Sequence, residues 1–249
     1  MPVRETEAII LRTYPLQEAD KIVSFLSRGG GRTRGVARNA RRSVKRFGAA
    51  LERLSHVRLR YFEQEARDLV RLESCELLQS FFETQSDYSA GVAFSYIAEV
   101  CEQLLPEREA NDPFFRLILL VMNEIRQTRK IWRPLTYFDF WAVTLAGFLP
   151  PLDQCFRCGE QIGAAESAWF RMESQGLLCR ACRGEGSWSL IGESRAMART
   201  MLKASLPQVP EAGWSKDRAD DLRRFLGQQI EKHLERKLVT RVALDDLQE

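Results

Sequence analysis

The sequence predicts an α+β chain of more than one domain: a small N-terminal β-barrel, then a mostly α-helical domain that carries a zinc-ribbon-like insertion. Three observations predict it. Apolar and polar residues alternate over roughly the first 75 positions, helical periodicity takes over from about Cys75, and two Cys-x-x-Cys pairs interrupt the helical part. A chain of 249 residues is long enough for one large domain or two to three small ones. Its 45% apolar and 29% charged residues are those of an ordinary folded protein, which excludes disordered and collagen-like classes.

The segments "ETEAIILRT" and "HVRLRYF" alternate with period two, while "DKIVSFLS" and "DLVRLES" are short and rich in apolar or β-branched residues. Five strands are expected, at about Glu7 to Thr13, Lys21 to Ser27, Thr33 to Ala37, Ser55 to Phe62 and Leu69 to Glu73. The three glycines Gly29 to Gly31 turn the chain between the second and third, and a short helix is expected around Phe47 to Leu51. Five strands with a helix after the third is the ordering of an OB-fold, a barrel much used for single-stranded nucleic acids. An SH3-like barrel or a small sandwich fits the same periodicity, because periodicity carries no strand order. The barrel is expected to occupy residues 1–76.

The helical domain is expected over 77–249. Tyr88 to Leu105 reads as a helix, and so does Glu193 to Ser205. Asp112 with Pro113 marks a helix start that runs to about Ile131; Pro134 opens a further helix closed by Gly147 and the prolines after it. Between Asp217 and Leu238, the residues Leu222, Leu226, Ile230, Leu234 and Leu238 recur every fourth position as one buried stripe. Pro207 to Ser215 resembles a linker.

"CFRC" and "CRAC" place Cys155, Cys158, Cys179 and Cys182 in the pattern C-x2-C-x20-C-x2-C, within an insertion expected at 153–186. Two residues between thiols let one tight turn present both sulfurs to a tetrahedral ion, with Gly159 and Gly184 relieving the turns; four thiolates leave no open coordination position. The spacing predicts a structural Zn²⁺. Redox dithiols and iron–sulfur ligation are the competing readings, the former lacking the βαβ setting it needs. Cys75 and Cys101 read as small core residues.

The net charge of +3 conceals an asymmetry: residues 1–60 hold 14 basic and 5 acidic side chains, so that they carry +9 and the remainder −6. Arg32, Arg34, Arg38, Arg41, Arg42, Lys45 and Arg46 fall in one run without a carboxylate, which attracts polyanions; arginine forks suit phosphate oxygens. A merely solvated face is the alternative. Tyr14, Phe25, Phe47, Tyr61 and Phe62 are candidate base-stacking platforms. Neither G-x-x-x-x-G-K-[ST], H-E-x-x-H nor G-x-S-x-G occurs, so no enzymatic chemistry is expected. Glu18 and Asp20 are better placed to cap and pair with nearby arginines than to hold a catalytic metal. No export signal and no apolar run of membrane-spanning length is visible, which predicts a cytoplasmic protein with reduced cysteines and no membrane partner.

The stretch "EAIILRTYPLQEADKIVSFLSRGGGRTRGVARNARRSVKRFGAALERL" resembles the N-terminal domain of the RecO family of bacterial recombination mediators. It has a strand ending "LRT", an E-x-D turn, the glycine-led "GRTRGVAR" and then "RFGAALE". The resemblance continues through "YFEQEARDLVRLESCELLQSF", "GFLPPLDQC" and the four-cysteine insert. It implies a non-enzymatic, nucleoid-associated OB-fold protein that binds single- and double-stranded DNA and anneals complementary strands. With RecR, such a protein helps RecA replace single-strand DNA-binding protein. It also implies contact with the acidic, hydrophobic tail of that protein, for which Arg126, Arg129, Lys130 and Arg133 beside Trp132 and Tyr137 offer a basic rim, although cations also suit a helix C-terminus. Asn39 stands where the family often has glycine, and asparagine tolerates the left-handed region. Two other classes remain as alternatives: an RNA-binding or transcription-associated zinc-ribbon adaptor, and a metal-dependent nuclease using Glu18 and Asp20.

Overall fold

A computed structural model describes residues 3–43, 45–63, 68–211 and 213–247; position 44 of the basic run, positions 64–67 and position 212 of the linker-like piece lie outside the described residues. The chain forms two compact units. The first comprises Met1–Arg129 with Leu238–Leu247, the second Lys130–Lys237 with the last two residues.

The first unit begins with five strands: β1 (Val3–Leu16), β2 (Asp20–Ser27), β3 (Gly31–Ala37), β4 (His56–Phe62) and β5 (Leu69–Gln79). They close into a barrel in the order β1-β2-β3-β5-β4, with β1 pairing antiparallel to both β2 and β4 and β3 parallel to β5. That order is the OB arrangement, and it removes every free sheet edge. β1 is longer than its apolar pattern suggested because it serves two partners, with an irregularity between Ile10 and Arg12 that lets it bend.

Period two becomes burial. Ala8, Ile10, Val23, Phe25, Val57, Leu59, Tyr61, Val70 and Leu72 point into the barrel, each contributing about 1.5–3 kcal/mol if large and apolar. A 3-10 turn, Gly48–Leu51, sits between β3 and β4 as expected, and Phe47, Ala50 and Leu51 join the same core. At the β2–β3 turn Gly31 adopts φ +70°, and a Cβ there would lie 2.0 Å from the Glu109 carbonyl oxygen, so only glycine fits.

The rest of this unit is helical: α1 (Phe82–Gln85), α2 (Tyr88–Leu104) and α3 (Asp112–Thr128). The α3 cap differs from expectation: the Asn111 side chain accepts from the Phe114 N–H, and Asp112 is already the first helical residue. In the second unit, α4 (Trp132–Leu145) starts two residues ahead of Pro134, since proline is tolerated anywhere in a first turn. Gly147 at φ +80° ends it. Two short strands, β6 (Ala168–Phe170) and β7 (Trp188–Leu190), pair antiparallel, and α5 (Gly192–Met201) comes after them.

The four-residue stripe is only partly one helix. α6 (Lys216–His233) buries Leu222, Leu226 and Ile230, but it ends at Leu234, and Glu235 turns left-handed with φ 53°. Leu238 is buried in the first unit, where it precedes α7 (Val239–Asp245). Glu99 of α2 caps α7, accepting from the backbone N–H groups of Val239 and Thr240 at 3.0 and 2.8 Å. Among the described residues no helix is long and apolar enough to cross a membrane.

Candidate nucleic-acid interface and metal centre

The structure divides the seven predicted cations into two groups. Arg32 and Arg34 lie within β3, and both reach Glu107, at 3.3 and 3.0 Å; Arg32 also donates from Nε to the Leu105 carbonyl at 2.8 Å. These two tie the barrel to the segment after α2, and the Arg32 side chain is only 16% exposed.

Arg38, Arg41, Arg42, Lys45 and Arg46 belong instead to the turn that leaves β3. Asn39 adopts φ 55°, the left-handed conformation expected of it, and its N–H donates to the Asp20 carboxylate at 2.8 Å. Arg42 and Ser43 N–H groups then close on the Asn39 carbonyl. Arg46 folds back over the turn, donating to Ser43 Oγ and to the Arg38 carbonyl at 3.2 and 2.7 Å with its guanidinium 5.2 Å from the Phe47 ring.

Arg41 anchors the neighbouring β1–β2 turn, its N–H donating to the Ala19 carbonyl and its side chain to the Glu18 carbonyl. Only Arg42 meets a carboxylate, that of Glu18 at 3.9 Å, and both side chains are well exposed. Such a pair is worth little in water. Glu18 and Asp20 therefore shape this turn and its cations, as their spacing suggested. Among the described residues, Arg38, Arg41, Lys45 and Arg46 form no ion pair, whereas Arg58 and Arg60 on β4 are paired with Glu5, Glu73 and Glu76.

The stacking candidates sort by burial. Phe25, Phe47 and Tyr61 fill the barrel core and Phe62 is half-buried, while Tyr14 at the end of β1 is 38% exposed. Arg12, which the run of cations did not include, holds its guanidinium 5.1 Å from the Tyr14 ring.

The rim proposed around Trp132 does not survive intact. Arg126 and Arg129 end α3 in the first unit, Arg126 over the Phe81 ring at 5.6 Å and Arg129 as a left-handed cap. In the second unit Lys130 is paired with Glu211 at 2.6 Å. Arg133 is a correction: it is buried and donates to the Val209 and Leu206 carbonyls, so it closes a 3-10 turn instead of lining a surface. An arginine four residues after another cation reads as a surface residue in sequence, and only the packed turn claims it.

The four cysteines come together. Their sulfurs all lie within 4.8 Å of one another, Cys158 and Cys179 at 3.7 Å. A tetrahedral ion with bonds of about 2.3 Å sets its sulfurs about 3.8 Å apart, so the donor set fits Zn²⁺. Each pair forms a knuckle: the Gly159 N–H closes on the Cys155 carbonyl with φ 76°, and the Cys182 and Arg183 N–H groups close on that of Cys179. Gly184 is not left-handed; Gly186, at φ 70°, is the glycine in the left-handed region after the second pair. Burial raises the Cys155 thiol, but the N–H groups of Cys179, Cys158 and Arg157 outweigh it and bring it down to about 6. Cys182 is pushed up to about 12, first by its hydrogen bond with Cys158 and then by burial. A dication held by the four sulfurs would supply the charge that lets all four ionise.

Arg195 of α5 escaped the sequence reading. Fully buried, it donates to the carbonyls of Leu152, Ile162, Gly163 and Glu166 and so fixes the base of the insertion. Its signal was an arginine on the apolar side of a helix.

Comparison with known proteins divides the chain at the end of the barrel, not between the two compact units. The recombination protein O N-terminal family matches residues 1–81, and the recombination protein O C-terminal family matches residues 85–241. The chain belongs to the RecO family. A DNA repair protein RecO of Koribacter versatilis is 46% identical over 98% of this chain and 99% of its own length. Its counterpart in Symbiobacterium thermophilum is 31% identical over 99% of this chain and 98% of its own. The two RecO family domains meet between residues 81 and 85, just past the end of β5 at Gln79.

Proposed function

We propose that this RecO-family chain acts in DNA repair by binding single and double strands electrostatically and annealing complementary ones. No covalent step is involved. The observation that carries this reading is the turn after β3, which holds Arg38, Arg41, Lys45 and Arg46 with no carboxylate partner among the described residues and Arg42 with only a weak one, Arg46 folding back onto the Arg38 carbonyl. Like charges held this close repel, and a phosphate chain relieves them; two strands coated by the same cations also repel each other less. Arg32 and Arg34 support the barrel wall beside this turn, and Tyr14 with Arg12 offers a ring for base stacking.

In this reading the barrel of residues 1–76 grips the strand and the helical domain of 77–249 makes protein contacts. The insertion of 153–186 carries a structural Zn²⁺ held by Cys155, Cys158, Cys179 and Cys182. RecR and, through it, RecA are partners, on DNA coated by single-strand DNA-binding protein. The acidic tail of that protein is met by Arg126 and Arg129 in the first unit. The work takes place at the nucleoid.

The test is annealing of labelled complementary strands by the wild-type protein and by R38E/R41E/R42E. About five phosphate contacts to a single strand give a log K against log salt slope near −3.5. Loss of annealing with a slope about 2 units shallower supports the reading; undiminished annealing overturns it. Retention of RNA in preference to DNA favours the adaptor class instead, and Mg²⁺-dependent cleavage the nuclease.

A further inference from the structure

Glu107 meets Arg32 and Arg34 through a single oxygen, its Oε1 standing 3.3 Å from the first guanidinium and 3.0 Å from the second. The two arginines are not equally held. Arg32 is 16% exposed and also donates to the Leu105 carbonyl, whereas Arg34 is 47% exposed and has Glu107, itself 43% exposed, as its ion-pair partner among the described residues. An exposed pair is worth little in water, and one carboxylate oxygen fills only part of an arginine fork. The segment that carries Glu107 does not need the carboxylate to stay in place. The Arg108 N–H donates to the Arg32 carbonyl at 2.8 Å, Arg32 Nε donates to the Leu105 carbonyl, and the Glu109 backbone lies so near β3 that only Gly31 admits it.

Arg34 also leads towards the cation turn. Burial alternates along β3, so Arg34 and Val36 share its outer face, and the register with β5 sets Arg71 beside Val36 on that face. Arg71 is exposed and forms no ion pair among the described residues. Arg38 opens the turn four residues after Arg34, about 13 Å along an extended strand. A track of cations therefore runs from Arg34 past Arg71 to Arg38, with Glu107 at its head. Among the described residues, no large apolar side chain of positions 31–37 or 105–112 is exposed. An acidic peptide with apolar residues finds no seat for them there, while a phosphate chain needs only the cations.

We propose that Glu107 is a built-in stand-in for phosphate: it occupies Arg34 in the free protein, and a nucleic-acid strand lying along the outer face of β3 displaces it, so that Arg34 joins the contacts of the turn. The carboxylate sets a threshold. A strand whose phosphates continue to Arg38 gains enough along the track to displace it, and an isolated anion does not. The inference rests on the proposed strand-binding function and deepens it, adding to the turn a contact held in reserve.

The experiment uses the full-length chain and a labelled oligothymidine, with salt titrations of the wild type, E107Q, R34Q, E107Q/R34Q and E109Q. Glu109 is exposed and two residues from Glu107, so E109Q makes the same change in net charge without touching Arg34. E107Q is expected to bind about three- to fivefold more tightly, the worth of an exposed ion pair, with a log K against log salt slope steeper by about 0.7. E109Q should match the wild type. R34Q should cost more in the E107Q background than alone, and E107Q/R34Q should lose the whole gain. Hydrogen exchange at the Arg108 N–H reports whether the segment stays docked. Where E107Q loosens it, E107D keeps the charge but withdraws the oxygen from Arg34, and should show part of the gain. A gain equal in E107Q and E109Q, or one that survives in E107Q/R34Q, overturns this inference; if R38E/R41E/R42E still loses binding, the proposed function stands. Undiminished binding by R38E/R41E/R42E overturns both. An acidic peptide that gains affinity in E107Q while oligothymidine does not assigns Arg34 to a protein partner and also overturns the inference.

Discussion

The barrel and the four-cysteine insertion reach order by opposite routes. The barrel packs a continuous apolar interior of Ile10, Val23, Phe25, Leu59 and Leu72 behind a closed hydrogen-bonded wall, and its cations stand outside that framework. The insertion holds a single strand of three residues, β6, paired with β7 just beyond it, and a smaller apolar set of Ile162, Ala168, Phe170, Leu177 and Leu178. Its backbone is pinned by polar devices: a buried guanidinium taking four carbonyls, and four sulfurs drawn to one point. Where hydrophobic burial carries stability, surface loops are free to accumulate charge. Where it does not, single side chains become indispensable.

The strongest break of that contrast is C155S/C179S. It removes half of the proposed ligand set, and the expected outcome is loss of bound metal and of amide-exchange protection through residues 153–190, with barrel protection unchanged. Protection retained across the insertion would show that the knuckles stand without metal. Next comes R195M, which deprives four carbonyls of their donor and should destabilise the second unit by about 3–5 kcal/mol, read by denaturant melts. A loss below about 1 kcal/mol would mean that water replaces the guanidinium.

On the barrel side, G31A forces a Cβ into the Glu109 backbone at a left-handed position and should cost about 2–4 kcal/mol. A smaller loss would show that the segment after α2 yields. The mildest effect concerns Cys75, whose thiol burial pushes up to about 12. In the unfolded chain it ionises nearer 9, so this residue's contribution to stability is constant below about pH 8 and falls as pH rises from 9 towards 12. Alkylation at pH 8 should therefore spare Cys75 in the native protein; rapid modification would contradict its burial.

Much of the fold was legible because its causes are local. Alternation along β1, β2 and β4 is the signature of one buried sheet face, and the glycines, prolines and Cys-x-x-Cys spacings each impose a turn wherever they occur. The misreadings have local causes too. Leu234 and Leu238 keep a four-residue interval although Glu235 breaks the helix between them, and periodicity does not register a left-handed residue. Arg133 looked like its neighbours until the turn at Leu206–Gln208 folded over it.

By itself the sequence determined the barrel's strands, the helical character of the chain beyond them, the convergence of four cysteines and the positive sign of the amino-terminal surface. Each of these depends on spacing or charge along the chain. Tertiary structure alone decided the OB strand order, since β3 meets β5 through a parallel pairing that passes over β4 in chain order. It alone decided which cations are committed and which are available, because Glu107 finds Arg32 and Arg34 across more than seventy residues and leaves the turn at Asn39 unneutralised. Pairing between residues far apart in sequence depends on three-dimensional proximity, which no one-dimensional pattern encodes.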